Sequence, residues 1–291
     1  MTGEFVAIDW GTTNRRAYVI DKTGDVVRTD RDGRGTLAVG RDGFAAEASA
    51  LSARYGGLPM LLAGMVGSNR GWHETAYVPC PADLDTLARN VHWVEPARIG
   101  IVPGVSQVAG GRADVMRGEE VQLFGAVAGG LAPGDALLCQ PGTHCKWAWM
   151  KAGRIDGFTT AMTGEMFALL KSHGLLSSQL HGPVVPGAAF VEGVADAARH
   201  DLLATLFGTR AAMLLGKRDA AASAAYVSGL LIGSDVEARL RDGTRDVHML
   251  ADPTLAGLYA AAIEAFGGRC HHVDSHGAFV AGITSIWRSL P

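Results

Sequence analysis

The succession of apolar and polar positions divides the chain into strands and helices in a repeating order. Residues 5–8, 16–20 and 25–29 have strand character and are joined by Gly11-Thr12-Thr13 and by the turn Asp21-Lys22-Thr23-Gly24, which predicts an antiparallel meander. Helical spacing over 44–55 follows, then a buried strand at 59–63, a helix at 82–90 and an apolar strand at 99–102. After a segment with loop character, 103–118, the pattern restarts. It gives a helix at 119–129, a strand at 136–140, a hairpin over 146–159 and a helix from Thr163. Alanine and leucine at helical spacing across 191–241 predict a helical layer. The end alternates strand 247–250, helix 253–266, strand 269–273 and helix 278–287. Strand, Gly-Thr turn, strand, glycine turn, strand thus occurs twice, which reads as an internal duplication of architecture.

Composition supports a folded chain of two lobes. Its 291 residues suffice for two domains, and 48% hydrophobic against 19% charged residues gives ample core material. A net charge of −3 supplies no basic field for a phosphate backbone or an anionic membrane, so neither nucleic acid nor membrane is an expected partner. Cys80, Cys139, Cys145 and Cys270 are scattered without a CxxC pair, as suits reduced thiols. With no signal-like start and no apolar run long enough to span a bilayer, a cytoplasmic location is expected.

The first Gly-Thr turn lies in Asp9-Trp10-Gly11-Thr12-Thr13-Asn14, where an acidic residue ends an apolar strand. A β-γ phosphate cradle needs this arrangement: glycine lets the backbone approach, hydroxyls and amides donate, and the aspartate holds Mg²⁺ directly or through water. An ordinary hairpin turn uses the same residues. The second copy, Gly142-Thr143-His144-Cys145-Lys146, follows another apolar strand, and two cradles in like context carry more weight than one. Lys146 or His144 can add charge at a transferring phosphoryl group. Between the cradles, Glu119 and Glu120 open an amphipathic helix. They suit either a base for a hydroxyl nucleophile or complementation of the helix dipole. Arg117 beside them can pair with a carboxylate or clamp an acidic substrate. Residues 64–72, dense in glycine, hydroxyl, amide and an indole, suit polyol recognition or a packed turn. Residues 228–234 and 251–255 suit an adenine slot, and helix packing explains the first of these equally well.

In order, Asp9-Trp10-Gly11-Thr12-Thr13-Asn14, Ala63-Gly64-Met65-Val66-Gly67-Ser68-Asn69, Met116-Arg117-Gly118-Glu119-Glu120, Pro141-Gly142-Thr143-His144-Cys145-Lys146-Trp147, Met162-Thr163-Gly164-Glu165 and Ser228-Gly229-Leu230-Leu231-Ile232-Gly233 resemble the 2-dehydro-3-deoxygalactonokinases across essentially the full chain. The resemblance implies an α/β fold of two ribonuclease-H-like, actin-like ATPase lobes, with an ATP and substrate cleft between them. Residues 1–116 would form the N-terminal lobe and 117–291 the C-terminal lobe. It implies ATP-dependent phosphorylation of the 6-hydroxyl of 2-dehydro-3-deoxy-D-galactonate in galactonate catabolism. Asp9, Gly11, Thr12, Thr13, Asn14, Gly142, Thr143, His144, Gly229 and Gly233 would bind ATP, with Mg²⁺ at Asp9. Gly64, Met65, Gly67, Ser68, Asn69, Trp72 and Arg117 would face the keto-acid, and Glu119 or Glu120 would be the base, with Lys146 also catalytic. A homodimer is compatible with this reading.

Three rivals use the same residues. A kinase of another sugar acid, such as 2-dehydro-3-deoxygluconate, shares the carboxylate and terminal hydroxyl. Phosphorylation of a carboxylate would need no general base. An actin-like nucleotide switch would use the cradles for movement alone, a reading that the expected absence of a helix-turn-helix extension and of a separate peptide-binding domain disfavours.

Overall fold

Glycine and threonine turns set the first strands apart, and the computed structural model, which describes all 291 residues, places them as read. The first half runs β1 (Phe5–Trp10), β2 (Arg15–Ile20), β3 (Val26–Asp32), α1 (Thr36–Val39), α2 (Phe44–Arg54), β4 (Met60–Gly64), β5 (Tyr77–Pro79), α3 (Leu84–Arg89), β6 (His92–Glu95), β7 (Ile99–Ile101), β8 (Gly104–Ala109), β9 (Arg112–Met116) and α4 (Glu119–Ala128). The second half runs β10 (Ala136–Gln140), β11 (Cys145–Lys151), β12 (Arg154–Ala161), α5 (Thr163–Ser172), α6 (Ala188–Ala197), α7 (Leu202–Leu214), α8 (Ala220–Leu240), β13 (Asp246–Met249), α9 (Pro253–Ala265), β14 (Arg269–His272) and α10 (Ser275–Ser289). None of these helices is long and apolar enough to cross a membrane.

The expected duplication is visible as strand order. One sheet reads β3-β2-β1-β4-β7-β6 and another β12-β11-β10-β13-β14. In each, a meander is extended by parallel strands, β1 with β4 and β4 with β7 in the first, β10 with β13 and β13 with β14 in the second. The segment expected as loop, 103–118, is instead the hairpin β8–β9, and β8 also pairs in parallel with β5. Gly110 and Gly111 at its tip have φ of 55° and 76°. Two successive left-handed residues make the tight turn whose twist suits a hairpin.

Compact units divide the chain at a place other than 116/117. One comprises 1–135, 148–158 and 274–291, the other 136–147 and 159–273, so the division runs through β11 and β12. Helix α4 belongs to the first unit because its partner is α10, nearly 160 positions away in sequence. The two helices meet at glycines: a Cβ on Gly125 would lie 1.7 Å from the Ala278 carbonyl oxygen, and one on Gly282 would lie 2.0 Å from that of Val121. Gly125→Ala is therefore expected to destabilise the protein by about 3 kcal/mol or more, read as a lowered denaturation midpoint, because backbone has no rotamer with which to yield.

In the first unit the period of two assigns the faces of β1. Val6, Ile8 and Trp10 join Ala17, Val19, Phe44, Leu51 and Leu62 in one core. Phe5, Ala7 and Asp9 point the other way, where Phe5 stacks on Trp287 of α10 at 4.6 Å and Tyr18 of β2 meets Phe279 at 5.5 Å.

Candidate active site

The first Gly-Thr loop is held from behind by backbone. Gly11 N–H donates to the Asn14 carbonyl at 3.0 Å, and the amides of Thr36 and Leu37 donate to the carbonyls of Gly11 and Thr12 at 3.0 and 3.1 Å. The loop carbonyls are thus engaged by the start of α1, while the side chains of Thr12, Thr13 and Asn14 are exposed. Asn14 donates to the Thr13 hydroxyl at 3.1 Å. Arg15 points into the core, where it pairs with Asp32 at 2.7 Å and Glu47 at 3.0 Å.

Asp9, next to last in β1, lies opposite Arg16 of β2. Burial pushes its carboxyl above the ordinary carboxylate range, Arg16 pulls it down, and the nearby Glu119 pushes it up again. Gly64 and Gly118, with φ of 95° and 103°, let the end of β4 and the start of α4 abut beside it: a Cβ on Gly118 would lie 3.1 Å from Gly64 Cα. No L-side chain adopts either conformation at low cost. The two glutamates then separate. Glu119, the first residue of α4, is half-buried and accepts from Arg117 N–H at 3.1 Å. Glu120 is fully buried and accepts from Gly118 N–H at 2.6 Å through one oxygen, while the other has no partner. Burial, reinforced by the charge of Glu119, pushes Glu120 up to about 8, so it is mostly protonated at neutral pH.

The segment expected to face a sugar acid turns sharply after β4. Gly64, Gly67 and Ser68 are buried, Met65 and Trp72 half-buried, and Asn69 exposed. The Ser68 hydroxyl donates to the Met65 carbonyl at 2.8 Å, and Arg41 reaches the Asn69 carbonyl at 3.3 Å. Arg117 is not presented at this surface. It is 8% exposed, lies over Tyr77 at 4.3 Å, and donates to the Thr75 hydroxyl and, at 2.8 Å, to the Thr75 carbonyl. The guanidinium anchors the chain just after residues 64–72, a use that spacing alone does not distinguish from a substrate clamp.

In the second unit, Thr143 and His144 are exposed and Gly142 half-buried. The loop is backed by the start of α5: a Cβ on Gly164 would lie 2.3 Å from the Gly142 carbonyl, and Glu165 N–H donates to the Thr143 carbonyl at 2.9 Å. His144 meets the Glu165 carboxylate at 2.6 Å. Lys146 is 4% exposed and donates to the Thr160 hydroxyl at 3.0 Å, so its ammonium stands behind the loop, between β11 and β12. Next to Gly142 opens a mostly apolar cavity of about 170 Å³. Its walls are Thr163, Gly164 and Phe167 of α5, Ser228, Leu231 and Ile232 of α8, Leu255, Leu258 and Tyr259 of α9, and Val184. Of the two segments expected to form an apolar slot, 228–234 contributes Ser228, Leu231 and Ile232 to this cavity and 251–255 contributes Leu255. Gly229 and Gly233 do not line it. A Cβ on Gly229 would lie 2.1 Å from the Phe190 carbonyl and one on Gly233 2.8 Å from Val194 Cα, so both serve close packing of α8 on α6.

Sequence reasoning passed over Arg16, Thr75, Thr163, Phe167, Asp235 and Tyr259. Of these, Thr163 alone lies within one of the motifs above, where a polar residue at the start of a helix was the available signal. No cluster of three or more His, Cys, Asp or Glu side chains is arranged to hold a metal. A Mg²⁺ site here would rest on Asp9 with phosphate oxygens and water, which is how that ion is commonly bound. The residues fit: burial and the nearby Glu119 raise the cost of charging Asp9, and a cation beside it would relieve that cost.

The chain matches the family model described as 2-keto-3-deoxy-galactonokinase over residues 9–286. It is 35% identical over 301 residues to a Rhizobium meliloti (strain 1021) protein named a probable 2-dehydro-3-deoxygalactonokinase, covering 99% of this chain and 98% of the relative. It is also 35% identical over 291 residues to the 2-dehydro-3-deoxygalactonokinase of Escherichia coli (strain K12), covering 98% of each. A crystal structure from Sinorhizobium meliloti carrying the same kinase description superposes with a TM-score of 0.90 at 35% identity, covering 98% of each chain.

Proposed function

The chain belongs to the 2-keto-3-deoxy-galactonokinase family, and on that premise we propose that it transfers the γ-phosphoryl group of ATP to the 6-hydroxyl of 2-dehydro-3-deoxy-D-galactonate. The products are 2-dehydro-3-deoxy-6-phosphogalactonate and ADP. The observation that carries the reading is the repeated cradle: in each unit a Gly-Thr loop follows the first strand of a meander and is backed by the start of a helix, α1 in one and α5 in the other.

Each group has work in that reaction. Thr12, Thr13 and Asn14 in one unit, and Thr143 and His144 in the other, expose donors of the kind that phosphate oxygens accept. The apolar slot beside Gly142 takes the adenine ring. Asp9 would hold Mg²⁺, which would supply charge neutralisation on the transferring group. Glu119 takes the proton as the substrate oxygen forms its bond to phosphorus and the bond to the ADP oxygen breaks. Protonated Glu120 holds the turn at Gly118 and keeps Glu119 in place. The carboxylate of the keto-acid meets the segment 64–72, with exposed Arg41 and Arg70 as the nearby cations in place of buried Arg117.

Coupled ADP release tests this, run with Mg·ATP and 2-dehydro-3-deoxy-D-galactonate beside the gluco epimer, galactonate and a control without sugar. Turnover of the galacto keto-acid, with galactonate inert, is the expected result. Preference for the gluco epimer would reassign the substrate, and ADP release indifferent to any sugar would replace the kinase reading with that of a nucleotide switch.

A further inference from the structure

A carboxylate that no part of the proposed reaction uses lies behind the adenine slot. Asp235 sits on α8 with 7% exposure. Ser228, Leu231, Ile232 and Asp235 fall at i, i+3, i+4 and i+7, one face of the helix, and the first three line the slot. A single oxygen of Asp235, Oδ2, accepts from Trp147 Nε1 at 3.0 Å, from the Thr163 hydroxyl at 3.1 Å, and is met by the Tyr259 hydroxyl at 3.5 Å. The Arg239 guanidinium approaches the other oxygen at 3.6 Å.

Those three donors come from three elements, and each borders the nucleotide machinery. Trp147 follows the second phosphate loop directly on β11. Thr163 begins α5, whose Gly164 backs the Gly142 carbonyl, and it also lines the slot. Tyr259 forms the wall contributed by α9. Burying a carboxylate costs several kcal/mol before any bond is made. Burial does raise the Asp235 carboxyl, against the bonds from Trp147 and Thr163 and the charge of Arg239. An apolar residue would fill the same volume without that cost, but it could not fix loop, helix start and slot wall to one point.

We propose that Asp235 is a positioning residue for nucleotide binding, joining the second phosphate loop, the start of α5 and the α9 wall of the adenine slot through one carboxylate oxygen. It touches none of the reacting atoms and acts through Trp147, Thr163 and Tyr259. The inference rests on the kinase reading, so its test begins with a measurement that needs no sugar acid.

Calorimetric binding of a non-hydrolysable ATP analogue with Mg²⁺ is compared between the wild-type protein, Asp235→Ala, Asp235→Asn and Trp147→Phe. Asp235→Ala should weaken binding at least about tenfold, the equivalent of one lost buried charged hydrogen-bond network. Asn, which keeps an acceptor oxygen, should restore part of the loss. Trp147→Phe lies outside the slot and should still weaken binding about threefold or more, with the double variant Trp147→Phe/Asp235→Asn showing less than the product of the two effects. In the coupled assay the KM for ATP should rise while the KM for the sugar acid shifts less than about twofold. Should Asp235→Ala fail to fold, the Asn and Phe variants carry the test. Wild-type affinity in those two variants, or equal shifts in both KM values, would overturn the positioning role and leave Asp235 a packing residue. A wild-type protein that turns over the keto-acid with variants unchanged would sink this inference alone, whereas a wild-type protein that binds no nucleotide would sink the kinase reading with it.

Discussion

Glu119→Gln is expected to lower kcat by about 10²–10⁴-fold with little change in either KM, the usual loss when a positioned general base is removed. Glu120→Gln should leave kcat at neutral pH within about threefold of wild type, since an amide stands in for a carboxyl that is already protonated. The two glutamates are adjacent in sequence, yet the start of α4 gives them different lives. Glu119 is half-buried and close enough to Asp9 to raise the cost of charging it. Glu120 is sealed at 0% exposure and bonded to Gly118 N–H. A group with no route to substrate cannot take its proton, whatever its basicity. Paired kcat and KM measurements for the two variants check the assignment. A large loss in Glu120→Gln with Glu119→Gln near wild type would invert the roles, and small losses in both would favour attack by a carboxylate, which needs no base.

Sequence periodicity carried most of the elements because the strands around both Gly-Thr turns are buried on at least one face and bounded by glycine. It lost β8 and β9 for a physical reason. Val108 and Val115 of that hairpin are 81% and 47% exposed, so the apolar positions do not mark a buried face, and its partner strand β5 is distant in sequence. The lobe boundary was illegible for a similar cause: α4 is placed by a glycine-on-glycine contact with α10, and nothing near residue 125 announces a partner at 282. The two Gly-Thr turns were legible because such a turn needs only local sequence. Arg117 and the pair Gly229 and Gly233 were not, because guanidinium and glycine serve anchoring and close packing as readily as binding, and only the neighbours decide. Asp235 was invisible for the opposite reason, being an ordinary helical aspartate whose three donors come from elsewhere in the second unit.

The second large effect concerns stability rather than rate, and its sign follows from Glu120. In the folded protein its carboxyl sits at about 8, against an ordinary value of 4.5 that the unfolded chain regains. Below the lower value both states hold the proton and the full contribution of neutral Glu120 is present. As pH rises between the two, the unfolded chain releases a proton that the native state retains, so unfolding becomes easier by up to about 1.4 kcal/mol per pH unit. Above about 8 the native state must itself carry a buried charge, and no further loss accrues from this group. Asp9 and Asp235, also raised, add slopes of the same sign, while Asp30, held low by the Tyr55 hydroxyl and by arginines, and Asp32 and Glu47, held low by arginines, add the opposite. The wild-type curve alone therefore mixes these groups, and the difference from Glu120→Gln isolates one of them. Urea denaturation midpoints at several pH values from about 5 to 8 should show the variant gaining on the wild type steadily as pH increases, by several kcal/mol in total at the extreme. Parallel curves would mean that water reaches Glu120 and that it ionises as an ordinary glutamate. In that case the division of labour with Glu119 would rest on geometry alone, and Glu120 would again compete for the role of base.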